Sequence, residues 1–166
     1  VISSLDQTGA SKVRVLATVS DLATDVRQAL GDDTSESAQR FAMVTWTANS
    51  LDVVHEYANA LQAVSNTDYE QATQSFTKAV TLDPNFGPGF VGLAVVALNM
   101  QRQELALKHA TEALRHVDRM TDREKLHARG LFYLVSSDYQ ACTKEFGDLI
   151  ARFAQDTAAH TNLAYC

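Results

Sequence analysis

Asp68-Tyr69-Glu70-Gln71-Ala72, followed by Phe76, Ala79 and Asp83-Pro84, is the stretch that decides the fold. At a spacing of 34 residues, Ala106, Ala110 and Ala113 echo Ala72, Phe76 and Ala79. A third copy, two residues longer, puts Cys142, Phe146 and Leu149 at the same relative positions. A fourth opens at His160 and runs through Leu163, Ala164 and Tyr165. A period of this length with small residues at fixed offsets reads as stacked helix–turn–helix units, none of which can bury its apolar face alone. Arrays of this kind usually bind other proteins rather than do chemistry.

Working outward, local signals place the helices. Val15, Leu16, Val19, Leu22, Ala23, Val26, Ala29 and Leu30 follow the one-sided helical spacing, and Gly31 closes that helix, expected at 11–30. Residues 1–10 read as an irregular lead-in, 32–40 as a polar linker, and 41–46 (FAMVTW) as an apolar island lying against the helices. Ser50 is the expected N-cap of a helix over 51–65, and Asp68 caps a second that stops before Asp83-Pro84, because Pro cannot extend it. Gly87-Pro88 opens the next pair, about 88–99 and 103–116. Thr121 and Glu124 form a capping box for a helix over 122–135, Asp138 caps one over 138–153, and a partial helix starts at Asp156. The expectation is all-α: eight helices joined by short turns.

The chain of 166 residues is 46% hydrophobic and 20% charged, ordinary material for a packed fold. Its net charge of −6 comes with no basic patch, which argues against nucleic acid as a partner. No stretch approaches the roughly 20 apolar residues of a membrane span, and no signal-peptide pattern opens at Val1. The two cysteines, Cys142 and Cys166, have no paired spacing; they neither demand a disulfide nor fix a redox compartment. Absence of a starting Met and a stop inside a helical pattern are read as a segment of a longer protein, with any membrane or catalytic domain outside it.

Residues 50–166 resemble the tetratricopeptide repeat. The match runs through Ala60, Ala72, Phe76, Ala79 and Pro84, then Phe90, Leu93, Ala94, Ala106, Ala110 and Ala113, then Leu126, Gly130, Tyr133, Cys142, Phe146 and Leu149, and ends on Leu163 and Ala164. Glu56, Asn59, Asp118 and Arg129 depart from the pattern. The resemblance implies a right-handed superhelix with repeats at about 53–86, 87–120 and 123–156 and a partial fourth at 157–166, the segment 1–49 forming an extra N-terminal helix and linker that packs on the array. In such repeats small residues let the paired helices cross closely and large ones fill the groove around them. More narrowly, residues 22–31 (LATDVRQALG), Ser50-Leu51 and residues 122–126 (DREKL) are similar to the C-terminal repeat regions of bacterial membrane-anchored serine/threonine kinases and related bacterial regulators. That similarity would place the segment in a signalling protein, outside the cytoplasm if a membrane anchor precedes it and inside otherwise. Phosphoryl transfer is not expected in this chain, which lacks a Gly-rich loop, an HRD and a DFG.

The polar residues suggest no reaction. His55, His109, His116, His127 and His160 do not pair with another His or Cys at helical spacing, so no metal or cofactor is expected. Asp32-Asp33 read as linker and Asp122 with Glu124 as a helix cap rather than as acid–base pairs. Cys142, in a small-residue slot, is expected to be buried and inert.

The resemblance implies a concave wall made by first helices: Tyr57, Leu61 and Val64, then Val91, Val95, Leu98 and Asn99, then His127, Leu131 and Leu134, with Val54, Ser65, Glu124 and Val135 beside them. That wall is mostly aliphatic and has no Lys or Arg at these positions, unlike arrays that clamp a peptide carboxylate. The expected function is therefore non-catalytic binding of a helical or apolar segment of a partner protein. The alternative is a structural or self-associating module, forming homo-oligomers or filling its groove with its own residues 11–30 or 41–46.

Overall fold

The computed structural model describes residues 48–166, so the expected helix at 11–30, the linker at 32–40 and the island at 41–46 lie outside the described residues. Among the described residues there are seven α-helices, one 3-10 turn and no strand. Helix α1 (Leu51–Ser65) pairs with α2 (Tyr69–Leu82), α3 (Gly87–Asn99) with α4 (Gln103–Arg115), and α5 (Asp122–Val135) with α6 (Tyr139–Arg152), while α7 (Thr157–Leu163) follows α6. The all-α expectation holds for the described residues, and these helix limits fall within about two residues of those read from the sequence.

Caps explain most of the boundaries. Ser50, Asp68, Thr121, Asp138 and Asp156 each accept a hydrogen bond from a backbone N–H in the first turn of the helix they precede. Thr121 and Glu124 complete a capping box, the Glu124 carboxylate accepting from the Thr121 N–H at 2.8 Å. Helix α3 starts differently: Phe86 caps it with no side-chain bond, Pro88 sits in its first turn, and the Phe86 ring is fully buried against Val53, Ala79 and Tyr57. Burial of one aromatic ring, about 2–3 kcal/mol, outweighs a missing cap of about 1 kcal/mol.

All three hairpins turn by the same device. The Asp68 N–H donates to the Ala63 carbonyl and the Thr67 N–H to the Val64 carbonyl; Arg102 and Gln101 repeat this on Ala97 and Leu98, and Asp138 and Ser137 on Tyr133 and Leu134. This is a Schellman closure, whose penultimate residue is left-handed. Thr67, Gln101 and Ser137 accordingly hold φ of 62°, 58° and 63°, with no glycine at any of the three.

Small residues set how closely helices approach. Ala60 and Ala72 are fully buried, as are Ala94 and Ala106 in the next hairpin. A Cβ on Gly130 would lie 2.8 Å from the Phe146 ring, and one on Gly92 would lie 2.3 Å from the Phe76 ring. Gly130 thus permits the contact inside the third hairpin, and Gly92 the contact between the first and second. The largest core cluster joins Ala94, Ala97, Leu126, Leu131, Leu134, Cys142, Phe146 and Leu149 across the second and third hairpins.

The two extra residues of the third copy are also accounted for. Second-helix caps Arg102 and Asp138 stand 36 apart against 34 for Asp68 and Arg102. The junction 116–121, which holds the 3-10 turn Val117–Arg119, is two residues longer than 83–86, α5 is one residue longer than α3, and α4 is one shorter than α2. The turns themselves are unchanged.

The cysteines require a correction. Cys142 is buried, as the small-residue slot implies, but it is joined to Cys166 by a disulfide across 24 residues, with Cα atoms 5.7 Å apart. Their spacing in the chain carries no hint of this, because α7 has to fold back onto α6 before the two sulfurs meet.

Candidate functional site

The first helices α1, α3 and α5 supply the candidate surface. On α1, Leu61 is 47% exposed, Val64 is half-buried and Ser65 is exposed. On α3, Val91, Val95 and Leu98 are half-buried and Asn99 is exposed. These three aliphatic side chains pack their inner sides on the core cluster that contains Leu131 and Leu134 of α5. Leu131 and Leu134 are themselves buried, at 2% and 9% exposure, so α5 contributes core here where α1 and α3 contribute surface. The expected wall residues that are aliphatic and keep open surface are therefore Leu61, Val64, Val91, Val95 and Leu98.

Tyr57 serves mainly as packing. Its ring stands edge-on to Phe76 at 5.6 Å and to Phe86 at 5.2 Å between centroids. Burial pushes its phenol well above the usual range; the Glu124 carboxylate adds to the rise and Arg123 opposes it. The Tyr57 hydroxyl is thus held neutral.

The start of α5 carries a polar cluster which the sequence reading did not assemble. Asp156, the N-cap of α7, is 2% exposed. Its Oδ2 accepts from Arg123 Nε at 2.6 Å and from His127 Nε2 at 2.8 Å, and Arg123 Nη2 is 2.5 Å from the same oxygen. Its Oδ1 accepts from the Ala159 N–H at 3.0 Å. A carboxylate can only accept, so the His127 ring turns its Nε2–H toward Asp156. Burial alone would raise the Asp156 pKa, but the hydrogen bonds from His127, Ala159 and Arg123 outweigh it and hold the carboxyl well below the usual range. Arg123 and His127 are four residues apart on one face of α5, but Asp156 lies 29 residues beyond His127, and no local pattern announces it.

The cluster ties the start of α7 to α5. It has a His–Asp pair, and among the described residues no serine, cysteine or lysine is seen bonded to the His. Among the described residues no group of three or more His, Cys, Asp or Glu side chains is placed to hold a metal ion. His116 stacks on Phe90 with centroids 5.5 Å apart and lies 3.4 Å from Glu112, while His109 and His160 belong to α4 and α7 and His55 to the exposed side of α1. Asp122 pairs with Arg152 at 2.6 Å, which ties the start of α5 to the end of α6. No helix among the described residues is long and apolar enough to cross a membrane. Compared with known proteins, the chain matches no family model, no curated protein and no solved structure.

Proposed function

We propose that these hairpins form a right-handed superhelix of the tetratricopeptide type, acting as a non-catalytic docking module of a larger bacterial signalling protein. Its ligand on this reading is an apolar or amphipathic helical segment of a partner. The observation that carries it is the set Leu61, Val64, Val91, Val95 and Leu98, apolar side chains on first helices that keep part of their surface open to solvent. The three turns of one geometry and the 34- and 36-residue cap spacings support the superhelix. A helix seated on such a surface presents residues at i, i+3, i+4 and i+7, each buried side chain contributing about 1.5–3 kcal/mol.

A photoreactive side chain at position 61, compared with one at the exposed position 111 on α4, tests the reading in bacterial lysate. The expected result is a discrete protein adduct from 61 that is absent from 111 and is lost on Leu98→Glu while helicity by circular dichroism stays the same. Equal labelling from both positions sinks it. An adduct with residues 11–30 of the same molecule, or with a second copy, would replace it by the self-filled or self-associating alternative.

A further inference from the structure

Within Thr157–Leu163, helix α7 buries a single residue, Ala159. Two fastenings hold it. At its start, Asp156 is bound by Arg123 and His127 of α5. Just beyond its end, Cys166 is bonded to Cys142 of α6. Between them, Leu163 and Cys166 pack against the core cluster to which Cys142, Phe146 and Leu149 belong. Equivalent slots in the earlier hairpins hold Ala72 and Ala106, so packing requires only a small residue at 142, and the sulfur adds a link that packing does not need.

We propose that the Cys142–Cys166 disulfide is a redox-operated latch, which a dithiol reductant opens to free residues 160–166 from α6 while Asp156 keeps the hinge. Cys142 is fully buried and Cys166 only partly, so the attack falls on the Cys166 sulfur. A thiolate of the reductant bonds to that sulfur, and the Cys142 sulfur leaves as a thiolate and takes up a proton. The second thiolate of the reductant then displaces Cys166, which is protonated in turn. Two cysteine thiols and one reductant disulfide result. Opening releases Leu163 and Cys166 from the core cluster that contains Phe146 and Leu149, and closure returns them to it. This inference stands on the α6–α7 contact and is independent of the groove reading.

The test is hydrogen exchange of the chain before and after dithiothreitol, with thiols titrated in denaturant. The oxidised protein should show no free thiol. Reduction should yield two thiols and speed exchange at 160–166 about tenfold or more, with α1 to α4 unchanged and slow exchange restored by reoxidation. Cys166→Ser should exchange like the reduced protein with or without dithiothreitol. Unchanged exchange at 160–166 on reduction overturns the latch, as do two free thiols after oxidation. So does a disulfide-linked dimer on a non-reducing gel, which would place the bond between copies.

Discussion

Thr67, Gln101 and Ser137 each stand where the Schellman turn asks for a left-handed residue, and none is glycine. An L-residue in that conformation costs about 1–2 kcal/mol, most for a β-branched side chain such as Thr67. Glycine removes that cost but gives back about 0.5–1 kcal/mol through unfolded-chain entropy. Thr67→Gly should therefore stabilise the protein by about 0.5–1 kcal/mol, and Gln101→Gly and Ser137→Gly by less; urea unfolding of the three variants checks the order. The sequence hides this feature because the usual marker, Gly or Asn at the left-handed position itself, is missing; Asn66 stands one residue too early. By contrast, the caps at Ser50, Asp68, Thr121, Asp138 and Asp156 are legible one by one, since each depends on a side chain reaching its own neighbouring backbone.

At the scale of the element, α7 depends on groups far away in the chain. Asp156 caps it locally, which the sequence announces, and anchors it to Arg123 and His127, which the sequence does not. Asp156→Asn keeps the shape but removes the charge that two donors address. Because Arg123 and His127 are about one-fifth exposed and can rehydrate, the loss should be about 2 kcal/mol at neutral pH, below that for breaking a fully buried pair. The sign with pH follows from the lowered carboxyl. An Asp with a folded pKa below its unfolded value of about 3.9 adds stability above that value and loses it as pH falls toward the folded one. Melting temperatures at pH 7, 5 and 3 should fall more steeply below pH 5 for the wild type than for Asp156→Asn; parallel curves would remove Asp156 from the acid response. Helix type and extent were readable from periodicity and caps, but the split of first-helix residues into surface and core was not. Leu98 and Leu131 look alike in sequence, yet α3 leaves Leu98 half open while α5 lies deep enough in the main core cluster to bury Leu131.

For the whole molecule, the contacts between hairpins decide whether it unfolds as one unit or in parts. Gly92 lies at such a contact, because a Cβ there would strike the buried Phe76 ring of the preceding hairpin. Helix propensity favours alanine by about 1 kcal/mol, but forcing a buried ring aside costs about 1–3 kcal/mol, so Gly92→Ala should be destabilising overall. Its mark should be regional: amides of α1 and α2 should lose exchange protection before those of α5 and α6. Uniform loss would mean that the hairpins are coupled more tightly than the Gly92 contact allows. The repeat made the hairpins legible because a recurring pattern reports local folding, whereas the Cys142–Cys166 bond and the Asp156 cluster arise once and join distant positions. The unequal spacing of the caps has a practical side. Added length has been absorbed at the junction around Val117–Arg119 and in α5, never in the three turns, whose hydrogen bonds leave no slack. Exposed Asp118 therefore marks a seam where a tag or fluorophore-bearing loop can be spliced in without disturbing the register on either side.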